Sequence, residues 1–209
     1  MAEGITFSAD YGAIQKILEE YIASEPKILA VVDDMAKTLF QRSKSAMLRE
    51  FEEHLVTQEL KAGPEAANIS DTLNGQKGNL YSFLGFDILG NQDPTQKLRE
   101  TLEKDTTIRK STRRGTVFYY RVYYPDKDEI VGASRMDWGS GTSWAFAVEN
   151  GDFGGDAHLS HYIYNTWGAG RSSAGIQTKG VYSENDFAPK KYITEIMEHF
   201  IERMNELSL

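Results

Sequence analysis

The sequence predicts an α+β fold in which N-terminal helices, one of them long, and a C-terminal helix pack on an antiparallel β-sheet with long glycine-rich loops. Two observations support this class. Apolar residues recur at helical spacing in residues 14–55 and again after Pro189, whereas the stretch GTVFYYRVYYP alternates with the period of a strand. We therefore expect one α+β domain that spans residues 1–209.

Residues 1–60 form the predicted helical part. A first amphipathic helix should end where Ser24 and Pro26 interrupt the pattern, because proline suits the first turn of a new helix. The second helix carries an apolar stripe and is predicted to stop near Gly63 and Pro64, with a length of ~50 Å. A helix of that length is either a core helix with a frayed end or a helix that contacts another chain.

Residues 61–103 are predicted to form an irregular insertion, with a short helix after Pro94. The stretch NGQKGNLYSFLGF places glycines around Lys77, but an aromatic run follows where a phosphate-binding loop would enter a capped helix, so a phosphate cradle is disfavoured. The glycines instead allow a bent backbone. The large side chains are interpreted as anchors, either against the protein's own helices or against an adjacent subunit: Leu80, Tyr81, Phe83, Leu84 and Phe86.

Residues 104–187 are predicted to form the sheet and its loops, and residues 188–209 the C-terminal helix. Both faces of GTVFYYRVYYP are mostly apolar or aromatic, so this strand is expected to be covered on both sides, either as a central strand or by a neighbouring subunit. EIVGASR is its expected antiparallel partner, reached by the turn PDKD. WAFAVEN is expected to be a further strand, followed by a glycine-rich excursion over residues 150–180.

Composition excludes several function classes. A formal net charge of −8 and a pI near 5.1 argue against a free-standing nucleic-acid-binding domain, which is normally basic. The chain has no cysteine, which removes disulfides and thiolate chemistry and favours folding in the cytosol. Its first residues lack a secretion signal, and no stretch approaches the ~20 apolar residues that cross a bilayer. We expect no membrane partner.

No catalytic constellation emerges from the sequence. Asp152, Asp156, His158 and His161 carry metal-binding groups, but their spacing is short and glycines oppose a helix, so a solvated loop is favoured. Ser160 beside His161 is adjacency rather than a triad, and no nucleophile-elbow pattern occurs. We predict a protein that is not an enzyme and that needs neither a metal nor a cofactor.

A basic stretch leads into the aromatic strand, and tryptophans follow it. Stacking of single-stranded nucleic acid on a basic sheet is one interpretation of the stretch, whereas protection of a strand edge from aggregation is the favoured one. The tryptophans suit either a sugar platform or a protein interface. The residues that would contact nucleic acid are Lys110, Arg113, Arg114 and Arg121. The residues that would contact a sugar or a protein are Trp138, Trp144 and Trp167.

The stretches VGASRMDWGSGTSWAFAVENG and APKKYI resemble the neck and tail-completion proteins of long-tailed bacteriophages. That family has a strand with a Val-Gly pair, an aromatic-Ala pair, a Val-Glu pair and a Gly, then a loop and a Pro-x-x-aromatic entry to a C-terminal helix. GPEAANISDTLNGQKGNLYSFLGFD is similar to a segment of structural proteins from contractile-tailed phages. The residues that match the first pattern are Val131, Gly132, Trp144, Ala145, Val148, Glu149, Gly151, Pro189 and Tyr192.

The resemblance implies a non-enzymatic subunit of a homo-oligomeric ring that joins or terminates the phage tail. Its implied partners are further copies of itself and neighbouring connector, tail-tube or sheath proteins, with DNA passing at most transiently through the lumen. Its implied location is the virion, assembled in the host cytoplasm. A carbohydrate-binding module and a metal-dependent hydrolase are the alternatives. The expected interface residues are Leu80, Tyr81, Phe83, Leu84, Phe86, Trp138, Trp144, Trp167 and Arg171.

Overall fold

The structure is a computed structural model that describes residues 11–74, 78–86, 93–114, 117–136, 141–151 and 187–206. These residues contain eight α-helices and one two-stranded antiparallel sheet, which confirms the α+β class. The chain divides into two units. The first comprises the chain up to Arg42 together with Thr107–Tyr123, and the second comprises Ser43–Thr106 and Tyr124–Leu209.

Two helices begin the described chain. Helix α1 is Tyr11–Ser24 and helix α2 is Pro26–Glu53, so the predicted interruption at Ser24 and Pro26 is confirmed. Only Glu25 separates the helices. Its N–H donates to the carbonyl of Tyr21 at 3.1 Å, and its carbonyl accepts from the N–H of Leu29 at 3.0 Å, so helical hydrogen bonding continues across the junction.

The long helix ends earlier than predicted. His54 has an extended backbone, and its Nδ1 accepts a hydrogen bond from the N–H of Val56 at 3.2 Å. This local bond caps a new helix, α3, Leu55–Ala62, instead of continuing the old one. Gly63, with φ of 77°, ends α3 and begins a 3₁₀ turn over Gly63–Glu65, where the sequence predicted the stop.

The sheet consists of β1, Thr107–Arg114, and β2, Val117–Tyr123. The prediction of a strand in GTVFYYRVYYP is therefore confirmed, but its predicted partner EIVGASR is wrong. Its first five residues, 129–133, lie in helix α6, Lys127–Ala133, which begins with a capping box, and Ser134 caps the end of that helix. The N–H of Glu129 donates to Asp126 Oδ1 and the N–H of Asp126 donates to Glu129 Oε2, both at 2.9 Å. Because the capping box satisfies two backbone N–H groups at the start of a helix, it favours a helix here over the predicted strand.

The predicted strand WAFAVEN is also wrong, because Trp144–Asn150 form helix α7. Ser143 caps its start by accepting from the N–H of Phe146, and Gly151 ends it in the left-handed conformation with φ of 67°. In seven residues, alternation of large and small side chains does not distinguish a strand from a helix. The buried set has helical spacing: Trp144, Ala145, Ala147 and Val148.

The second unit holds three further helices. These are α4, Leu80–Phe83; α5, Gln96–Asp105; and α8, Ile193–Asn205, so the predicted helix after Pro94 and the predicted C-terminal helix are confirmed. Tyr192 lies at the centre of this core. Its ring is 5.9 Å from that of Phe51 and 6.0 Å from that of Trp144, and its hydroxyl is 2.7 Å from Thr57 Oγ1. Burial raises the pKa of the Tyr192 hydroxyl, which stays neutral.

Candidate interaction surfaces

A buried carboxylate holds the segment that contains the aromatic run. Glu59 of α3 is fully buried, and its two oxygens accept from the N–H groups of Ser70 at 2.8 Å and Leu80 at 2.6 Å. The side chain of Asn79 caps α4 by accepting from the N–H of Ser82 and donates to the carbonyl of Pro64 at 2.6 Å. These bonds fix the start of the run against α3 and the turn that follows it.

The predicted anchors of the aromatic run lie in the core of the second unit. Phe83 stacks on Phe187 with ring centroids 5.4 Å apart. The protein's own helices therefore bury these side chains, and in this conformation they are not accessible to a second subunit. Trp138, Trp167 and Arg171 lie outside the described residues. The predicted interface residues that are buried are Leu80, Tyr81, Phe83, Leu84, Phe86 and Trp144.

One face of the two-stranded sheet, which we call the inner face, is directed towards α2. The hydroxyl of Tyr120 donates to Asp33 Oδ1 at 2.5 Å, and Lys110 Nζ lies 2.9 Å from the same oxygen. Hydrogen bonds from Tyr120 and Lys110 lower the pKa of Asp33, whereas burial and the bond to Asp33 raise the pKa of Tyr120 to about 12. The inner face is half-buried at Phe118, Tyr120 and Val122.

The other face, which we call the outer face, is exposed. Strand pairing places Arg109 opposite Arg121 and Arg114 opposite Val117. Tyr119 is 44% exposed, and Arg109 lies over the ring of Tyr123 at 5.2 Å. The prediction that β2 is covered on both sides is therefore wrong within the described chain. The exposed members of the outer face are Arg109, Arg114, Val117, Tyr119, Arg121 and Tyr123.

The four cations predicted to contact nucleic acid do not share one face. Arg114 and Arg121 lie on the outer face, whereas Lys110 and Arg113 pair with residues of the inner face and Lys110 forms an ion pair with Asp33. A one-residue bulge between Lys110 and Arg113 shifts the alternation of β1, so both side chains belong to the inner face although they are three residues apart. Sequence reasoning missed Arg109 as a member of the outer face because it assigned β2 the wrong partner strand.

Helix α1 presents a second exposed surface. Every α1 side chain that the structure describes is exposed, including Ile17 at 67% and Tyr21 at 66%. At 3.6 residues per turn, Glu19 and Glu20 lie on opposite flanks of the apolar side chains, about 60° from the nearest one. We call this surface the α1 stripe. Its apolar members are Ile14, Ile17, Leu18, Tyr21 and Ile22.

An open cavity of about 400 Å³ lies in the second unit, and two side chains engage the carboxylate of Glu50 on its wall. Glu50 is 2.5 Å from His199 Nδ1 and 3.0 Å from Arg203 Nη2. The bond to Glu50 raises the pKa of His199, whereas burial lowers the pKa of His54. No hydroxyl or amine nucleophile lines the cavity among the described residues. Its lining is Ala46, Arg49, Glu50, Glu53, His54 and Arg203.

The remaining site predictions concern metals and membranes. Within the described residues, no three His, Asp or Glu side chains converge as metal ligands do. The predicted weak candidates lie outside those residues: Asp152, Asp156, His158 and His161. In the same part of the chain, no helix is both long and apolar enough to cross a membrane.

The described part of the chain thus offers two surfaces for interaction, the α1 stripe and the outer face, both in the first unit. Compared with known proteins, the chain matches no family model, no curated protein and no solved structure.

Proposed function

We propose that this chain is a non-enzymatic structural protein of a bacteriophage virion, of the neck or tail-completion type, which forms a homo-oligomeric ring. One observation carries the assembly role. The α1 stripe exposes five large apolar side chains on a helix with no buried side chain among those described. A contiguous apolar surface of this kind typically marks a site of contact with another molecule. The phage assignment rests on the sequence resemblance.

The residues that carry the resemblance have structural roles, which suits a protein without catalysis. Glu149 accepts hydrogen bonds from the N–H of Tyr192 at 3.2 Å and the N–H of Thr194 at 2.6 Å, so it caps helix α8. Gly151 ends α7 with a positive φ. The family places the Val-Glu pair on a strand, whereas Val148 and Glu149 lie on α7 here. The phage assignment is therefore supported by the sequence and not by the local structure.

The proposed partners follow from this role. Further copies of the chain would complete the ring, and connector, tail-tube or sheath proteins would lie on either side of it. DNA would pass through the lumen only transiently, and the location would be the virion after assembly in the host cytoplasm. The exposed first unit supports contact with copies of the chain.

Light scattering of the purified protein over a concentration series, with and without connector and tail-tube proteins, tests this function. We expect a closed multimer of defined mass, alone or with a partner, and we expect mass spectrometry to find the chain in purified particles. A protein that stays monomeric with every partner and is missing from particles would refute the proposal.

A further inference from the structure

We propose that the α1 stripe of one subunit docks on the outer face of the next subunit, and that this head-to-tail contact builds the ring. The inference rests on the proposed ring and names its interface. Both surfaces belong to the first unit of the chain, and both are exposed. A contact between two different surfaces can repeat around a closed ring, whereas a contact between identical surfaces stops at a dimer.

The two surfaces have complementary charge. The outer face carries Arg109, Arg114 and Arg121. Arg114 and Arg121 have no acidic partner among the described residues. Arg109 and Arg121 are directly opposite each other on paired strands, an arrangement that is destabilising unless an anion lies nearby. The α1 stripe supplies Glu19 and Glu20, one on each flank.

The apolar parts also correspond. Val117 and Tyr119 expose 51% and 44% of their surface on the outer face, between arginines, just as the apolar residues of α1 lie between glutamates. Helix α1 has 14 residues and is about 21 Å long, and the seven residues of β2 extend over about 20 Å. Helix α1 is therefore long enough to contact β2 from one end of the strand to the other.

The α1 stripe does not reach the outer face of its own chain. Asp33 of α2 binds Tyr120 and Lys110 on the inner face, so α2 lies on that side of the sheet. Helix α1 continues from α2 through Glu25 alone, with helical hydrogen bonds on both sides of the junction. The outer face is on the opposite side of the sheet. None of the described residues covers the outer face, and we assign its occupant to a second copy of the chain.

A single-stranded nucleic acid is the rival occupant, because tyrosines and arginines on a sheet suit stacked bases and phosphates. Two observations favour the second copy. The chain has a net charge of −8, which repels a polyanion at long range. A nucleic acid on the outer face would also leave the apolar α1 stripe uncovered, whereas docking of α1 covers both surfaces at once.

Paired variants of the full chain test the contact by light scattering. Ile17→Asp should abolish the multimer, and so should Tyr119→Asp, whereas the matched control Lys16→Asp on the back of α1 should assemble as the wild type does. An equimolar mixture of the Ile17→Asp and Tyr119→Asp chains should form a 1:1 dimer and nothing larger, because only one of the two possible contacts remains.

Equal assembly of Ile17→Asp and wild type would overturn the interface and leave the proposed function standing, whereas a wild type that is always monomeric would refute the function itself.

Charge reversal gives a second readout that misfolding does not imitate. Arg109→Glu with Arg121→Glu, or Glu19→Arg with Glu20→Arg, should each raise the concentration for half-assembly at least tenfold, and the chain with all four changes should recover the multimer. The control is Arg42→Glu, which reverses the charge of an exposed arginine on α2. Fluorescence anisotropy with a labelled single-stranded DNA oligonucleotide tests the rival: binding lost in the double arginine variant, with its multimer intact, would overturn the proposal.

Discussion

At the scale of single residues, a few buried or capping side chains decide where the backbone goes. Glu59 is the clearest case, because one carboxylate accepts from Ser70 and Leu80 and so joins two distant parts of the irregular insertion to α3. The sequence marks Glu59 only as a polar residue on a helix. Its burial depends on how the chain folds back over it, which helical periodicity does not reveal.

Glu59→Gln is expected to lower the free energy of unfolding by about 2 kcal/mol, because the amide keeps only one of the two acceptor oxygens and loses the charge. Urea unfolding followed by circular dichroism measures this loss. The matched control is Glu65→Gln, since Glu65 is exposed in the following 3₁₀ turn. Equal stability of the two variants would contradict the role assigned to the buried carboxylate.

His54, which lines the cavity, and His199, which binds Glu50 of the cavity wall, should give opposite pH dependence. Because the pKa of His199 is raised by Glu50, its contribution to stability is fully present below the unfolded value of about 6.5 and is lost as the pH rises through the folded pKa. Because burial lowers the pKa of His54, its contribution is present above that value and is lost as the pH falls.

His199→Gln should therefore cost more stability at pH about 5 than at pH about 8, and His54→Gln should cost less at the lower pH. The His199 effect should be about 0.5 kcal/mol, as for other exposed ion pairs, because its side chain is 44% exposed. Urea midpoints of both variants and the wild type at the two pH values measure the difference. Parallel changes in the two variants would contradict the assignment.

At the scale of elements, capping decides between helix and strand where the pattern is short. The sequence predicts strands in EIVGASR, because the turn PDKD precedes it, and in WAFAVEN, because its side chains alternate over seven residues. In the structure, the capping box of Asp126 and Glu129 begins α6, and Ser143 begins α7. By contrast, the apolar stripes of α2 and α8 are long enough that periodicity predicted both helices, although it did not show that α2 ends at Glu53.

Asp126→Ala should destabilise the protein by about 1 kcal/mol, because the N–H of Glu129 loses its side-chain acceptor while the backbone N–H of residue 126 remains. Asp128→Ala is a suitable comparison, since it removes a carboxylate from the same first turn of α6 and leaves both bonds in place. Thermal unfolding of the two variants measures the difference. If both variants had the same melting temperature, the capping box would not be the reason that this region is helical.

At the scale of the whole molecule, the exposed surfaces of the first unit govern the expected behaviour in solution. The proposed contact has a charged rim around an apolar centre, and salt screens exposed charges over about 10 Å at 0.1 M ionic strength. The concentration for half-assembly should rise several-fold between about 0.05 and about 0.5 M NaCl. Sedimentation velocity over this range measures it.

A matched variant isolates the cause of this salt dependence. In the chain with Glu19→Gln, Glu20→Gln, Arg109→Gln, Arg114→Gln and Arg121→Gln, the charged rim is removed and the apolar centre remains. Its assembly should not weaken with salt, because apolar burial is not screened. The same salt dependence in this variant and the wild type would place the charged contact elsewhere on the molecule.

The sequence by itself determined the α+β class, the break at Pro26, the strand β2, the helix after Pro94 and the C-terminal helix, because these depend on local periodicity and on the geometry of proline. Only the tertiary structure decided which strand pairs with β2, that the aromatic run is buried, and that Arg109, Tyr119 and Arg121 share an exposed face. The physical reason is that register and burial are set by contacts between residues far apart in the chain, which no local pattern records.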